Sequence, residues 1–242
     1  MQLSKQVWLI PGENPGQGYL CGTNVYVVGS GKSRVMIDAC TKNVLKFLAN
    51  IKEFCQTQQC TIDRILITHG HHDHYAGAFD IVELLIQNGF STNPSVFKFV
   101  DEKLETDRNR LMEHPEIESY LFNTRDGDVF TVINAPGETP ITLTCVETPG
   151  HIDDHLCFLL QQEGEDNMLF TGDHIIGADS SYFTNYPEYL RSLDKVRDLT
   201  IKLDIKKYFV AHSYTLTKDD IMLDGLAKVE ELIASRKEKD YR

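Results

Sequence analysis

The chain alternates short apolar runs of strand length with segments whose apolar residues recur at helical spacing. Three strands are predicted over residues 25–28, 34–37 and 64–67, the first two separated by a glycine-rich turn. Helices are predicted over residues 44–54, with Thr41 as a plausible N-cap, and over residues 79–88. This order is typical of an α/β fold, in which helices cover a sheet.

The second half of the chain repeats the alternation. Its predicted strands and helices are strands 129–133, 141–147, 155–160 and 168–170, a helix over 187–203, a strand over 208–211 and a helix over about 219–237. Residues 101–123 are charged and mixed, which favours a helical region or a mobile insert. We expect one domain over residues 1–242, made of two similar α/β halves, in which 213–242 form a short C-terminal helical extension.

The net charge and the distribution of apolar residues limit which binding partners are expected. The net charge of −12 disfavours nonspecific binding to nucleic acid, so a nucleic-acid substrate would need a local basic surface. No run of about 18 apolar residues is present, which excludes a membrane-spanning helix and a membrane partner. The first ten residues resemble neither a secretory nor an ordinary mitochondrial presequence, so we expect a cytoplasmic protein, with a mitochondrial location still open.

The six cysteines are scattered and show no C-x-x-C spacing, which argues against a zinc ribbon and a disulfide scaffold. Reduced, mostly buried thiols are expected. Cys55 and Cys60 are close enough in sequence to form a bridge on an oxidised surface, an alternative that a cytosolic location disfavours.

Histidines concentrate at one strand end. His69-Gly70-His71-His72-Asp73-His74 follows the third predicted strand and precedes a helix, and it holds four of the nine histidines. In an extended loop, His69 and His71 point the same way and can grip one ion, while Asp73 and His74 can face a second. Imidazole and carboxylate ligands without cysteine suit a divalent metal site that keeps positions open for water. An incidental histidine-rich loop is the alternative.

The same six residues resemble the H-x-H-x-D-H signature of the metallo-β-lactamase superfamily. Three later segments resemble further motifs of that superfamily, in the same order: Thr148-Pro149-Gly150-His151, Phe170-Thr171-Gly172-Asp173 and Val210-Ala211-His212. The resemblance implies an αββα sandwich of the metallo-β-lactamase type, followed here by a C-terminal helix. It also implies two metal ions, one held by His69, His71 and His151 and the other by Asp73, His74 and His212, with Asp173 as the bridge.

Each later ligand has an alternative role. His151 could be a turn histidine, and Asp173 could cap a helix. His212 is flanked by Ala211 and Ser213, where the superfamily usually has glycine.

Further residues are expected around the metals. Asp38 matches the buried aspartate of the I-D-T-G motif and is expected to accept hydrogen bonds from the metal-binding loop. Cys40, which replaces the glycine of that motif, is expected to pack. His72, His114, His155 and His174 are expected to be structural or to support the ligands.

Two divalent ions imply a hydrolase that uses a metal-bridging hydroxide, with Asp73 orienting the nucleophile and the proton donor unassigned. Zinc suits the histidines best, and manganese or iron would suit the oxygen ligands. The segments 22–29 and 148–155 resemble the beta-lactamase-like protein 2 group, which implies an endoribonuclease acting on single-stranded RNA.

Two features count against RNA: only thirty residues follow His212, where that group continues into a winged-helix-like segment, and the chain is acidic. Six basic residues within 191–207 offer either a phosphate track or a solvated helix face. The main alternative is a thioesterase of the glyoxalase II kind acting on a small-molecule thioester, although its glutathione-binding basic residues are not identifiable. A metal-binding protein without turnover is a further alternative, and a β-lactam hydrolase is disfavoured. The oligomeric state is not predicted.

Overall fold

The computed structural model describes residues 1–100, 115–178 and 181–239. In these residues the first sheet has the strands β1 (Val7–Pro11), β2 (Asn24–Val28), β3 (Ser33–Ile37), β4 (Thr61–Leu66), β5 (Ser95–Lys98) and β6 (Leu121–Asn123). The second sheet has β7 (Val129–Val132), β8 (Ile141–Glu147), β9 (Leu156–Gln162), β10 (Asn167–Gly172), β11 (Ile205–Val210) and β12 (Met222–Asp224). The helices are α1 (Leu45–Gln58), α2 (His72–Tyr75), α3 (Ala78–Gln87), α4 (Tyr186–Leu203), α5 (Lys218–Ile221) and α6 (Gly225–Lys239).

Three apolar seams hold four layers together. Phe47 and Ile51 of α1 and Val82 of α3 pack on Val27 and Ile65 of the first sheet. The middle seam lies between the sheets, where the buried side chains include Tyr26, Ile37, Phe158, Phe170 and Phe209. In the third seam, side chains of α4 and α6 such as Tyr189, Leu193 and Leu232 cover the second sheet. The predicted αββα sandwich is therefore confirmed.

Parallel pairing brings the chemistry to one edge. In the first sheet β3, β4 and β5 run parallel, so their carboxyl ends lie side by side. In the second sheet β10 and β11 are also parallel. The Leu156 amide donates to the Thr68 carbonyl at 2.7 Å and so joins the sheets at this edge. Loops that leave parallel strands at their carboxyl ends meet there and can share one site.

The C-terminal segment differs from the single helix predicted over residues 219–237. α5 ends at Ile221, β12 pairs antiparallel with β11, and only then does α6 begin. Ile221 is fully buried in the middle seam, which draws this segment onto the open edge of the second sheet. The helical extension predicted over 213–242 therefore also contributes a strand.

Other local predictions differ in detail. The N-terminal cap of α1 is Val44 rather than Thr41. Of the charged stretch 101–123, residues 101–114 lie outside the described part of the chain. Residues Pro115–Tyr120 form a 3₁₀ helix followed by β6. No helix within the described ranges is long and apolar enough to cross a membrane.

Candidate metal centre

The histidine-rich loop is built by the end of β4 and the short helix α2. Thr68, His69 and His74 are buried, with the side chain of His69 fully enclosed. His71 has extended backbone (φ −73°, ψ 150°), and the chain turns into α2 at His72. Because extended backbone places residues two apart on the same side, His69 and His71 are presented together.

The first cluster comprises His69, His71, His151 and one oxygen of Asp173. His71 Nδ1 lies 2.9 Å from His69 Nε2 and 3.0 Å from His151 Nε2, and the two Nε2 atoms are 3.3 Å apart. Asp173 Oδ2 is 3.7 Å from His69 Nε2 and 3.5 Å from His151 Nε2. The first sheet therefore supplies two members and the second sheet supplies the other two.

The second cluster comprises Asp73, His74 and His212. Asp73 Oδ2 lies 3.2 Å from His74 Nε2 and 3.1 Å from His212 Nε2, and the two nitrogens are 3.3 Å apart. His212 sits beyond the end of β11 and is 1% exposed, so Ala211 and Ser213 are compatible with its inward position.

Asp173 lies between the clusters. Its Oδ2 faces His69 and His151, whereas its Oδ1 is 3.4 Å from His74 Nε2 and 3.3 Å from His212 Nε2. Buried Oδ1 accepts no hydrogen bond from the described residues. A buried carboxylate oxygen without a donor is costly unless a cation neutralises it.

The donor atoms fit two divalent ions. An ion with tetrahedral bonds of about 2.0 Å holds its ligand atoms about 3.3 Å apart. The separations given above run from 2.9 to 3.7 Å, and all donor atoms of a cluster lie within 4.8 Å of one another. Imidazole and carboxylate donors are also the ligand types expected for zinc and similar borderline metals.

Hydrogen bonds on the far side of each ring fix the donor nitrogens. Thr68 Oγ1 donates to Asp38, so it can only accept from Nδ1 of His69, at 3.0 Å. His74 Nδ1 lies 2.8 Å from Asp38 Oδ2, and His151 Nδ1 lies 2.6 Å from the Tyr182 carbonyl. Because Nδ1 of these three rings is held on the far side, Nε2 is the atom that faces the centre, where it could bind an ion.

His212 follows the same pattern, since its Nδ1 lies 3.2 Å from the Gly22 carbonyl.

Two residues hold the backbone of Asp173 in place. The Asp173 amide donates to Nε2 of His155 at 3.2 Å, and Nδ1 of His155 contacts the Thr148 hydroxyl at 2.8 Å. Gly172 has φ +49°, and a Cβ there would lie 2.7 Å from His155 Nε2 and 2.9 Å from Thr68 Cβ. Glycine is therefore required for Asp173 to reach both clusters.

The ionisable side chains of the two clusters lie close enough to shift one another's pKa values. Burial and the neighbouring histidines hold the pKa of His69 well below its usual value. Burial opposes ionisation of Asp73, but His74 and His212 outweigh it and hold the Asp73 pKa low. The pKa of His74 is raised because Asp73 and Asp173 outweigh its burial. The centre therefore keeps its carboxylates ionised at neutral pH.

Asp38 is buried at the end of β3, where it accepts the Thr68 amide at 2.8 Å and contacts His74. Cys40 is buried, its thiol donates to the Gly12 carbonyl, and burial raises its pKa to about 11. His72 is exposed, and His174 is buried against Tyr189. His114 lies outside the described residues.

Three contributors were missed in the sequence. The Thr23 hydroxyl donates to Asp73 Oδ2 at 3.0 Å, and the Ser181 hydroxyl contacts His151 Nδ1 at 3.1 Å. The Tyr19 ring stacks on His212 at a centroid distance of 6.0 Å. Thr23 lies in a segment that the sequence singled out only for its resemblance, whereas Tyr19 and Ser181 lie in loops without a local signal.

Comparison with known families gives one match along most of the chain. The model described as "Metallo-beta-lactamase superfamily" matches residues 18–212. Among solved structures, a metallo-beta-lactamase family protein from Thermus thermophilus aligns with a TM-score of 0.68 at 21% identity, covering 98% of this chain and 81% of that one. That likeness concerns the fold.

Curated relatives carry several names. Lactamase-like protein nscB of Trichophyton equinum is 31% identical over 238 residues, or 98% of this chain and 60% of its own length. A beta-lactamase-like protein 2 homolog of Drosophila melanogaster is 31% identical over 250 residues, 100% of this chain and 73% of its own length. An atrochrysone carboxyl ACP thioesterase of Passalora fulva is 29% identical, over 81% of this chain and 51% of its own length. The chain thus spans only part of these relatives.

Proposed function

Since the chain belongs to the metallo-β-lactamase superfamily, we propose that it is a hydrolase working with two divalent metal ions, and that its first candidate substrate is single-stranded RNA. The observation that carries the two-ion proposal is the placement of Asp173, whose two carboxylate oxygens face separate clusters of donors. One ion would be held by His69, His71 and His151, and the other by Asp73, His74 and His212. Zinc suits these donors best.

Bound ions would supply Lewis-acid chemistry, activating water at neutral pH and polarising the carbonyl or phosphoryl group under attack. Asp73 is oriented for a second task by the hydrogen bond from Thr23. Its low pKa keeps it an acceptor, so it can hold the attacking water by one proton. The Tyr19 ring stacks on His212, which makes its hydroxyl a candidate donor to the substrate.

Two observations support RNA. The beta-lactamase-like protein 2 homolog aligns with the whole of this chain. The segments 22–29 and 148–155 resemble that group, and this resemblance implies endoribonuclease activity. Tyr182, whose carbonyl holds His151, is 71% exposed, and Tyr214, two residues after His212, is 61% exposed. Exposed aromatic rings beside a site offer stacking surfaces for unpaired bases without selecting a sequence.

The basic stretch over 191–207 does not support a phosphate track. Arg191 pairs with Glu188, Lys195 with Asp126, Arg197 with Asp194 and Asp198, and Lys206 with Asp204. Four of the six basic residues are thus paired with acids, and three of these four lie on α4, which favours a solvated helix face over a phosphate track. RNA would therefore depend on the centre and its tyrosines more than on α4.

A thioester is the second candidate substrate. One relative aligned over 81% of the chain is named an atrochrysone carboxyl ACP thioesterase. The pairing of Arg191, Lys195 and Arg197 with acids weakens the local argument for a polyanion. The same ions could polarise a thioester carbonyl as well as a phosphoryl group.

One experiment separates these proposals. Purified protein loaded with zinc or manganese is offered single-stranded RNA, a glutathione thioester and a β-lactam in parallel, and metal content is measured on the same samples. We expect about two ions per chain, RNA cleavage by the unmodified protein, and loss of cleavage in Asp73→Asn. His72→Gln is the matched control, because this exposed histidine of the same loop belongs to neither cluster.

The outcomes are distinct. Thioester cleavage with intact RNA would replace the first substrate with the second. A reproducible metal content near zero after gentle purification in metal-containing buffer would overturn the two-ion proposal itself.

A further inference from the structure

The end of α1 brings two cysteines together outside the metal centre. Gln59 has left-handed backbone (φ 49°), its amide donates to the Gln56 carbonyl at 3.3 Å, and the Cys60 amide donates to the Cys55 carbonyl at 3.1 Å. These two bonds define a Schellman motif, in which the side chains at the positions of Cys55 and Cys60 contact each other. That contact is usually made by two apolar side chains.

Here both of these positions carry thiols. Both cysteines are free and buried, at 1% and 3% exposure. The neighbouring Cys55 thiol and Arg34 lower the pKa of Cys60 although burial opposes this. The neighbouring Cys60 thiol and burial raise the pKa of Cys55. The pair is therefore asymmetric, with Cys60 the more readily ionised thiol.

The second observation concerns Arg34, a buried cation close to the end of α1. The residue is only 4% exposed, and its guanidinium carbon lies 5.8 Å and 5.3 Å from the ring centroids of Trp8 and Phe54. It makes only long hydrogen bonds, 3.3 Å to the Gly31 carbonyl and 3.4 Å to Gln58 Oε1.

Within the described ranges, one terminal nitrogen of Arg34 is buried and has no hydrogen-bond partner. A buried cation is costly unless an anion lies beside it. Burial lowers the pKa of Arg34, and the nearby Cys60 and Cys55 thiols oppose this shift. A thiolate at this position would supply the counter-ion that the site lacks.

We propose that Cys55 and Cys60 form a redox-active pair that closes to a disulfide across the end of α1, with Cys60 as the attacking thiolate and Arg34 as its counter-ion. With hydrogen peroxide as oxidant, Cys60 sulfur bonds to one peroxide oxygen, the O–O bond breaks, and the leaving hydroxide takes a proton to become water. Cys55 sulfur then attacks the Cys60 sulfenic acid, the S–O bond breaks, and a second water leaves. Two thiols and one peroxide thus give one disulfide and two waters.

The disulfide would tie α1 to the start of β4, because Cys60 directly precedes Thr61. This inference is independent of the substrate and of the metal centre.

The unmodified full-length chain provides the first test. Trypsin releases residues 53–64 as one peptide that holds both cysteines, between Lys52 and Arg64. After brief exposure to peroxide, quenching and denaturing alkylation, we expect this peptide to lose two hydrogens and to resist alkylation until dithiothreitol is added. Cys145 and Cys157 are the internal controls, because burial raises their pKa to about 11 and about 12. They should oxidise at least about tenfold more slowly.

Variants assign the roles. Cys55→Ser should leave a Cys60 sulfenic acid that a dimedone probe captures, whereas Cys60→Ser should leave Cys55 unoxidised. Arg34→Met should slow oxidation about tenfold, and Arg34→Lys should slow it less, since one pKa unit corresponds to a factor of ten. Equal oxidation of residues 53–64 and of the control cysteines in the unmodified protein would overturn the proposal. Oxidation that persists unchanged in Cys60→Ser would overturn the assigned roles.

Discussion

Asp38 Oδ2 lies 2.8 Å from His74 Nδ1, on the side of the imidazole ring that faces away from the candidate metal centre. The other oxygen of Asp38 accepts the Thr68 amide at 2.8 Å. One buried carboxylate therefore orients both the loop backbone and a donor ring.

Replacing this carboxylate tests its effect on the centre. Asp38→Asn keeps the shape and tolerates the left-handed backbone at this position (φ 63°), but it removes the charge that holds His74. We expect metal affinity to fall about 10- to 100-fold, measured by competition with a chromophoric chelator. Asp63→Asn is the matched control, because Asp63 also accepts hydrogen bonds, from Ser33 and Ser91, away from the centre. Equal affinity in both variants would leave Asp38 without influence on the metals.

Gly172 tests the close approach of Asp173 to both clusters. Gly172→Ala should destabilise the fold by about 1–3 kcal/mol, because the new Cβ meets His155 and Thr68 at a positive φ. Gly164→Ala is the matched control, with φ +81° and no atom within 4 Å of the added Cβ, and should cost only about 1 kcal/mol of backbone strain. Urea unfolding of the metal-free variants measures both. Similar losses in the two variants would show that packing around Gly172 is not tight.

Lys98 and Asp154 form an ion pair between the sheets. The Lys98 ammonium lies 2.5 Å from Asp154 Oδ2, and the side chains are 3% and 1% exposed. Lys98→Met should cost about 3–5 kcal/mol, because it leaves a carboxylate buried beside the loop that carries His151. Lys98→Met combined with Asp154→Leu should recover part of this loss. Chemical denaturation measures both variants, and a double variant less stable than Lys98→Met would contradict the charge argument.

The pH dependence of stability tests the hydrogen bonds of Glu138. Hydrogen bonds from Ser30 and Gln6, with Lys5 nearby at 3.2 Å, lower its pKa from 4.5 to about 2. Because the folded pKa is lowered, Glu138 stabilises the fold fully above about pH 4.5, and this contribution is lost as pH falls toward 2. The unfolding midpoint of the unmodified protein should exceed that of Glu138→Gln at pH 7, and the difference should shrink between pH 4.5 and 2. A difference that is constant across this range would refute the assignment.

The spacing of apolar residues predicted strands and helices correctly where burial follows a simple pattern along the chain. The run 25–28 became β2, whose residues are all buried, and the spacing of Phe47 and Ile51 marked the buried face of α1. It missed β1, β5, β6 and β12, which are three to five residues long. Short strands leave too few alternations to detect, and their pairing depends on neighbouring strands that are distant in sequence.

The candidate site shows the same division. The sequence placed Asp173 and His212 beside strand ends. In the structure each of them belongs to one of the two clusters, and Asp173 Oδ1 lies 3.3 Å from His212 Nε2. The sequence offered no means of finding that Thr23 contacts Asp73, 50 residues away, or that Arg191 and Lys195 are paired with acids. Those contacts depend on how loops and helix faces meet after folding.

Each cluster draws donors from both sheets, so binding of the proposed ions would be coupled to docking of the sheets. An ion held by His69 and His151 would favour the docked arrangement, and by reciprocity any loosening of the middle seam would weaken ion binding. Phe170, buried in that seam, lies three residues before Asp173. The apolar interior would then influence metal affinity, although none of its side chains is a proposed ligand.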